Sequence, residues 1–295
     1  MIFGLSTQLF FPHRLTPAHL DALAASGAGV IELFAARHHV DYTDRKQTRE
    51  LAAWFRDSGI LPTLHAPLSS DPHFSRHASP TLNLVAPEKS RRIDAMEEIK
   101  RALELAESIP TPTCVLHLGL SGQGEWSDYT LEHALNAIEH LRAFAAPLGV
   151  RLLLENLPNP IATPEHLLEI LRVGHFDSCA LCLDIAHVHL TPQPIAEAGE
   201  LLRPRIAQLH LSDNDGRTDA HLWPASGTER PSSLATGKVN WFDLYAFADS
   251  LPAPTPAILE IADTEAATPA DTTRIAREVF SHAARLLETN NDAHR

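Results

Sequence analysis

The chain has 295 residues, 44% of them hydrophobic, and a formal net charge of -13. This length fits one large α/β barrel or two ordinary domains, with enough apolar residues for a sizeable core. The acidic balance argues against a broad basic footprint for nucleic acid or an anionic membrane, though a local basic groove can sit on an acidic body.

The first ten residues, Met1 to Phe10, carry no basic segment followed by a long apolar stretch, so no secretory leader is expected. No apolar run reaches the roughly 18 residues of a spanning helix. A soluble cytoplasmic protein without a membrane partner is therefore expected. Short apolar runs then recur as candidate strands: Ile2–Ser6, Val30–Phe34, Leu61–His65, Thr113–His117, Arg151–Glu155, Ala180–Asp184, Ile206–His210 and Ala257–Glu260. Helix-like segments alternate with them. Thr16-Pro17 opens one with a cap and a first-turn proline. Thr43 to Asp57 carries Leu51, Trp54 and Phe55 at helical spacing, and Pro87 to Ser108 places Ile93, Met96, Ile99, Leu103 and Ala106 on one face. Asp128–Ala146, Thr163–Val173, Asn240–Ser250 and Thr268–Leu287 follow, with Thr163-Pro164 and Thr268-Pro269 repeating the cap and proline. Between the sixth and seventh strands the pattern is broken by Pro192, Pro194 and Pro204.

Strands alternating with helices predict parallel βαβ units. No linker divides the chain, so a single (β/α)8 TIM barrel domain over residues 1–295 is expected. An open doubly wound sheet is the alternative, disfavoured because no GxGxxG follows the first strand. Leu222–Lys238 is expected to be a long loop of the kind that forms lids. The 3 cysteines are too few for a disulfide framework. Cys179 and Cys182 form a C-x-x-C, but a spacing of three along a strand puts the thiols on opposite faces, so buried structural thiols are expected rather than a zinc site.

The chemistry lies in how the strands end. The third ends on His65, the fourth on His117 and the fifth on Glu155-Asn156. The sixth ends on Asp184 with His187 beyond, the seventh on His210 with Asp213 beyond, and the eighth on Glu260. In a barrel these ends meet at one mouth, where active sites sit. A lone histidine at a strand end is more often a hydrogen-bonded structural group; it is the set that points elsewhere. Imidazoles and carboxylates together are ligands for Zn, Mn, Co or Mg. Uncompensated buried carboxylates cost several kcal/mol each, on the order of magnitude, and a divalent metal is the simplest compensation. Glu155, Asp184, His210 and Glu260 are the core candidates; His65, His117, His187, Asp219 and His221 are further ones. Glu32 reads equally as a buried polar contact or a functional group. His38, His39, His73, His77 and His133 read as incidental, and Lys100 and Arg101 as a solvated face.

From the second strand to the eighth the chain resembles the xylose-isomerase-like barrels, sugar phosphate isomerases and epimerases related to the type IV AP endonucleases. The resemblance rests on Leu154-Glu155-Asn156, Cys182 to His187, His210 to Gly216, Asp219-Ala220-His221-Leu222, Gly237 to Trp241, and Leu259-Glu260. In the epimerase branch, it implies a metal held by Glu155, Asp184, His210 and Glu260. The metal polarises the substrate carbonyl as a Lewis acid. One of the catalytic pair Glu155 and Glu260 then removes a C–H proton, an enediolate forms, and the opposite glutamate or a relay returns the proton. His187 and His65 are the implied substrate-binding residues. In the endonuclease branch the nine residues named above would hold three zinc ions, and all nine positions carry compatible types.

Asp213 to Gly216 and Gly237 to Trp241 look more like the epimerase group, and Ala66 to Pro72 offers no Arg or Lys for a DNA backbone. The chain departs from the family at Trp223–Thr236, which intervenes before the Gly-rich turn and puts that edge of the pocket in doubt. The sequence thus favours a metal-dependent isomerase or epimerase of a sugar, sugar phosphate or polyol, with a small carbohydrate as partner. The absence of an obvious Gly-rich phosphate loop leans towards a free sugar or acid. An AP-endonuclease-like trinuclear-zinc phosphodiesterase and a non-catalytic metal- or ligand-binding barrel are the alternatives. Nucleic acid is not the expected partner, and homo-oligomerisation through exposed helices stays open.

Overall fold

A computed structural model describes residues 1–75, 79–224, 239–248, 250–252, 254–262 and 272–281. Strands β1 (Ile2–Ser6), β2 (Val30–Phe34), β3 (Leu61–His65), β4 (Thr113–His117), β5 (Arg151–Glu155), β6 (Ala180–Asp184), β7 (Ile206–Leu211) and β8 (Pro256–Leu259) form a parallel barrel closed in sequence order. Six strands have the bounds expected from sequence. β7 runs one residue longer, and β8 starts and ends one residue earlier, so that Glu260 lies just past it. Its amide still donates to Leu211 O at 3.0 Å and holds it in line.

The helices are α1 (Pro17–Ala25), α2 (Arg45–Ser58), α3 (Lys89–Leu103), α4 (Asp128–Ala145), α5 (Pro164–Val173), α6 (Ile185–His189), α7 (Ile195–Leu202) and α8 (Trp241–Ala248). Asp44, Ser127 and Thr163 cap α2, α4 and α5 by accepting first-turn amides. Residues 272–281 are helical, inside the expected Thr268–Leu287. Residues 225–238 of the long loop, His77 and Thr268-Pro269 lie outside the described residues. Among the described residues no helix is long and apolar enough to cross a membrane.

Two details depart from the apolar pattern. The segment after β6 forms two short helices, because prolines lack the N–H a continuous helix needs and Pro194 instead sits at the N-cap of α7. On α3, Ile93 is 43% exposed, and the buried face includes Glu98. Arg37 donates to both Glu98 oxygens at 2.6 and 2.7 Å, Arg101 adds a bond at 2.7 Å, and the Tyr42 hydroxyl donates to the same carboxylate. Burial pushes this carboxyl up, but Arg37 and Tyr42 outweigh it and hold it below its ordinary range. An ion-paired glutamate can thus occupy a core position that apolar periodicity cannot detect.

The core has two compartments. A large one lies between strands and helices, and a small one of Val115, Leu153, Ala180 and Cys182 is separate from it. The small cluster shares strand parity with His117, Glu155 and Asp184, so it fills the lumen below a titratable mouth. Cys182 belongs to this lumen and Cys179 to the outer core; both thiols are free and buried, as their spacing predicts.

Gly4 pairs β1 with β2 on one side and β8 on the other. A Cβ there would fall 2.4 Å from Val30 O and 2.8 Å from Ile258 Cδ1. Gly4→Ala is expected to cost about 1–3 kcal/mol in denaturant unfolding, by forcing strands apart; unchanged stability would contradict the close approach.

His39, between β2 and α2, is fully buried, with Nδ1–H donating to His13 O at 2.5 Å. Burial pushes its pKa down to about 3 from an ordinary 6.5. The folded chain keeps this imidazole neutral while the unfolded chain protonates it. Its contribution is therefore full above pH 6.5 and lost as pH falls towards 3. The loss should be about 2 kcal/mol between pH 7 and pH 5. Unfolding of His39→Gln should fall less steeply with pH than wild type; parallel curves would rule this out.

Candidate metal centre

The mouth is assembled by strand register. His117 pairs with Glu155, Glu155 with Cys182, and Asp184 with His210, which brings the ends of β4 to β7 to adjoining levels. His210 Nδ1 lies 2.9 Å from Glu260 Oε2 and 3.1 Å from Glu155 Oε1. Glu155 Oε2 lies 3.0 Å from His117 Nε2 and 3.5 Å from His65 Nε2. His187 Nδ1 is 3.4 Å from Glu155 Oε1, and its Nε2 is 3.1 Å from Asp219 Oδ2. His221 Nε2 lies 3.3 Å from Asp219 Oδ1. All nine residues singled out in the sequence are therefore brought together. Their donor atoms form groups within 4.8 Å: Glu155, Asp184, His210 and Glu260; His65, His117 and Glu155; and His187, Asp219 and His221. Cys182 also lies within that reach of Glu155 and His210.

Local bonds hold these side chains. Asn156 ties β5 to β6: its amide donates to Asp184 O at 2.9 Å and accepts from Asp184 N at 2.8 Å, and its carbonyl accepts from His187 Nδ1 at 2.9 Å. Asp184 caps α6, accepting from His187 N at 2.9 Å. Asp219 and His221 are carried by a short antiparallel bridge in which Asp213 and Leu222 exchange bonds of 2.8 and 2.7 Å. His221 has φ 45°, a left-handed conformation costing a non-glycine residue about 1 kcal/mol or more. It is held there by Nδ1–H donating to Glu260 O at 3.1 Å and by Ala262 N donating to its carbonyl at 3.0 Å. Asp213 also fastens the chain beyond the long loop: its carboxylate accepts from Val239 N at 2.9 Å and Trp241 Nε1 at 3.5 Å.

Burial pushes Asp184 up to about 6. Burial acts the same way on Glu260, but the His210 charge outweighs it and holds the group at about 2. Burial also raises Glu155, and His210 and His117 more than reverse this. Burial lowers His221, whereas Asp219 raises it to about 10. Despite this pairing, Asp184 Oδ2 and His65 Nε2 are buried with no hydrogen-bond partner. Orphaned donor atoms beside converging carboxylates and imidazoles suit a divalent cation, which would compensate the buried charge; the residues fit such an ion.

A cavity of about 70 Å³ opens over the cluster, lined among others by Gln8, Leu68, His117, His187, His221 and Glu260. Among the described residues no Lys or Arg lines it. Sequence reasoning assigns none of three further neighbours to the site. Glu32, left open, and Gln208, unremarked, both sit beneath His210, and Phe34 stacks on His65 at 4.4 Å. Gln208 has the strand parity of His210, a signal that could have found it.

No curated protein sequence matches the chain. Among solved structures, a D-tagatose 3-epimerase-like protein is 22% identical, covers 100% of both chains and has a TM-score of 0.74. The D-psicose 3-epimerase from Clostridium cellulolyticum H10, solved with D-tagatose, is 14% identical over 97% of this chain and 99% of that one, with a TM-score of 0.75. The IOLI protein with a bound zinc atom is 16% identical over 98% and 99%, with a TM-score of 0.77. At such identities the likeness is one of fold. A family model described as the xylose isomerase-like TIM barrel matches residues 20–284, and the chain belongs to that family.

Proposed function

We propose that the chain is a metal-dependent isomerase or epimerase of a sugar or related polyol. The observation that carries this reading is the convergence of Glu155, Asp184, His210 and Glu260, with the two glutamates meeting His210 Nδ1 from β5 and from the end of β8. A divalent cation held by these four residues would supply Lewis-acid polarisation of a substrate carbonyl. Glu155 and Glu260 come from nearly opposite sides of the barrel. A carboxylate oxygen of one takes the proton from the carbon beside the carbonyl, and the other, once it has received a proton from a neighbouring imidazolium, delivers it to the opposite face of the enediolate. His187 and His65 hold substrate oxygens. The small buried chamber keeps bulk water from the reacting carbon. That no Lys or Arg lines it among the described residues supports a free sugar over a phosphorylated one. Fold neighbours that are a D-psicose 3-epimerase and an L-ribulose 3-epimerase agree with a carbohydrate substrate.

The other two donor groups favour a second reading, a multinuclear zinc phosphodiesterase. Elemental mass spectrometry on protein purified without chelator separates the two. About one Mn, Co or Zn per chain supports the isomerase, whereas about three Zn moves the search to phosphoesters. Failure of ketoses to take up solvent deuterium at the carbon beside the carbonyl, with the metal loaded, would overturn the isomerase reading.

A further inference from the structure

The histidines of the mouth are oriented in two different ways. His65, His187 and His221 each donate Nδ1–H to a backbone carbonyl, of Ala66 at 2.8 Å, Asn156 at 2.9 Å and Glu260 at 3.1 Å. His210 is reversed. Its Nδ1 faces Glu155 and Glu260, while its Nε2 lies 3.0 Å from Glu32 Oε2. The same Glu32 oxygen accepts from Gln208 Nε2 at 2.6 Å, and Glu32, Gln208 and His210 are all fully buried. A carboxylate oxygen can only accept, so His210 satisfies it only as the Nε2–H form. Without a cation Nδ1, 2.9 Å from Glu260 Oε2 and 3.1 Å from Glu155 Oε1, carries a proton as well; a cation placed between these groups displaces that proton and takes the Nδ1 lone pair, while Nε2–H stays on Glu32.

We infer that Glu32 is a positioning residue for the cation site: fixed by Gln208, it holds His210 with Nδ1 turned to the metal, and makes it the strongest imidazole donor of the mouth. The inference rests on the proposed role of Glu155, Asp184, His210 and Glu260 as a metal site. Two physical points carry it. A carboxylate behind an imidazole raises the basicity of the ring more than a backbone carbonyl does, and outer partners of this kind change metal affinity by about 10–100-fold. Position matters as well: Glu32 is the middle residue of β2, across the lumen from β7, so nothing in the local sequence of His210 reveals it. Of the three donor groups, the one containing His210 is then the first to fill as cation is added.

The test is a Zn²⁺ titration against a chromophoric chelator, with thermal unfolding of the metal-free protein as the control for folding. Glu32→Gln keeps the size and an acceptor oxygen but removes the carboxylate. It is expected to weaken the first Zn²⁺ about 10–100-fold while the metal-free midpoint stays near wild type. A merely structural role would lower that midpoint and leave the affinity of the folded fraction unchanged. Gln208→Met, which removes the second donor to the same oxygen, is expected to weaken the first Zn²⁺ by a smaller factor and serves if Glu32→Gln does not fold. Wild-type affinity in the folded variants overturns the inference alone. Failure of the wild-type protein to take up Zn²⁺, Mn²⁺ or Co²⁺ overturns the proposed metal site and the inference with it.

Discussion

Glu155→Gln and Glu260→Gln are each expected to slow interconversion of a ketose and its partner sugar by about 10²–10⁴-fold, the usual worth of a positioned acid–base group. Glutamine matches glutamate in size and keeps an oxygen facing the centre, so packing persists, while the loss of a ligand charge also weakens cation binding. What it lacks is a carboxylate to accept a proton. The two losses are expected to be comparable, because the carboxylates lie 3.1 and 2.9 Å from the same imidazole nitrogen and, in the proposed reaction, serve opposite faces of the substrate. In energy terms the loss is about 3–5 kcal/mol of transition-state stabilisation. Metal content measured on the same preparations separates lost base from lost cation. Wild-type solvent-deuterium exchange in both variants would remove the glutamates from the mechanism.

Removing the metal is expected to have the second largest effect, on stability. The four proposed ligands come from the ends of β5, β6, β7 and β8, so a cation bound there ties together half of the barrel's strand ends. An ion that binds only the folded chain, present at about a thousand times its dissociation constant, contributes about 4 kcal/mol. For a chain of this size that corresponds to roughly 6–8 °C in the unfolding midpoint. Differential scanning calorimetry after chelation, and again after metal is restored, measures it. Coincident midpoints, with metal uptake verified, would mean that the cation makes no structural contribution.

Much of the barrel is legible in the chain because each layer leaves its own period. Buried parallel strands read as short apolar runs, and six of them have the same bounds in sequence and structure. The mouth is legible for a related reason: a charged or imidazole residue at the end of such a run has no apolar explanation. Illegible were the residues whose place depends on a distant partner. Glu98 is in the core because of Arg37, and apolar spacing instead assigned that face to Ile93. Glu32 gains its meaning from His210, 178 positions away. The two helices after β6 were hidden by prolines, which break a pattern without saying where it resumes.

Asp213 gives the barrel a modular joint. Its backbone exchanges two bonds with Leu222, and its carboxylate accepts the amide of Val239, so the chain departs from this residue's neighbourhood and returns to it. The ends of the intervening stretch are thus fastened to each other by the strand that carries His210. Closing a longer loop on a fixed stem costs only about 0.6 kcal/mol for each doubling of its length. Whatever is inserted between Trp223 and Val239 therefore weighs little on the strands below. The length and sequence of this stretch can therefore change without resetting the carboxylates and imidazoles that line the mouth.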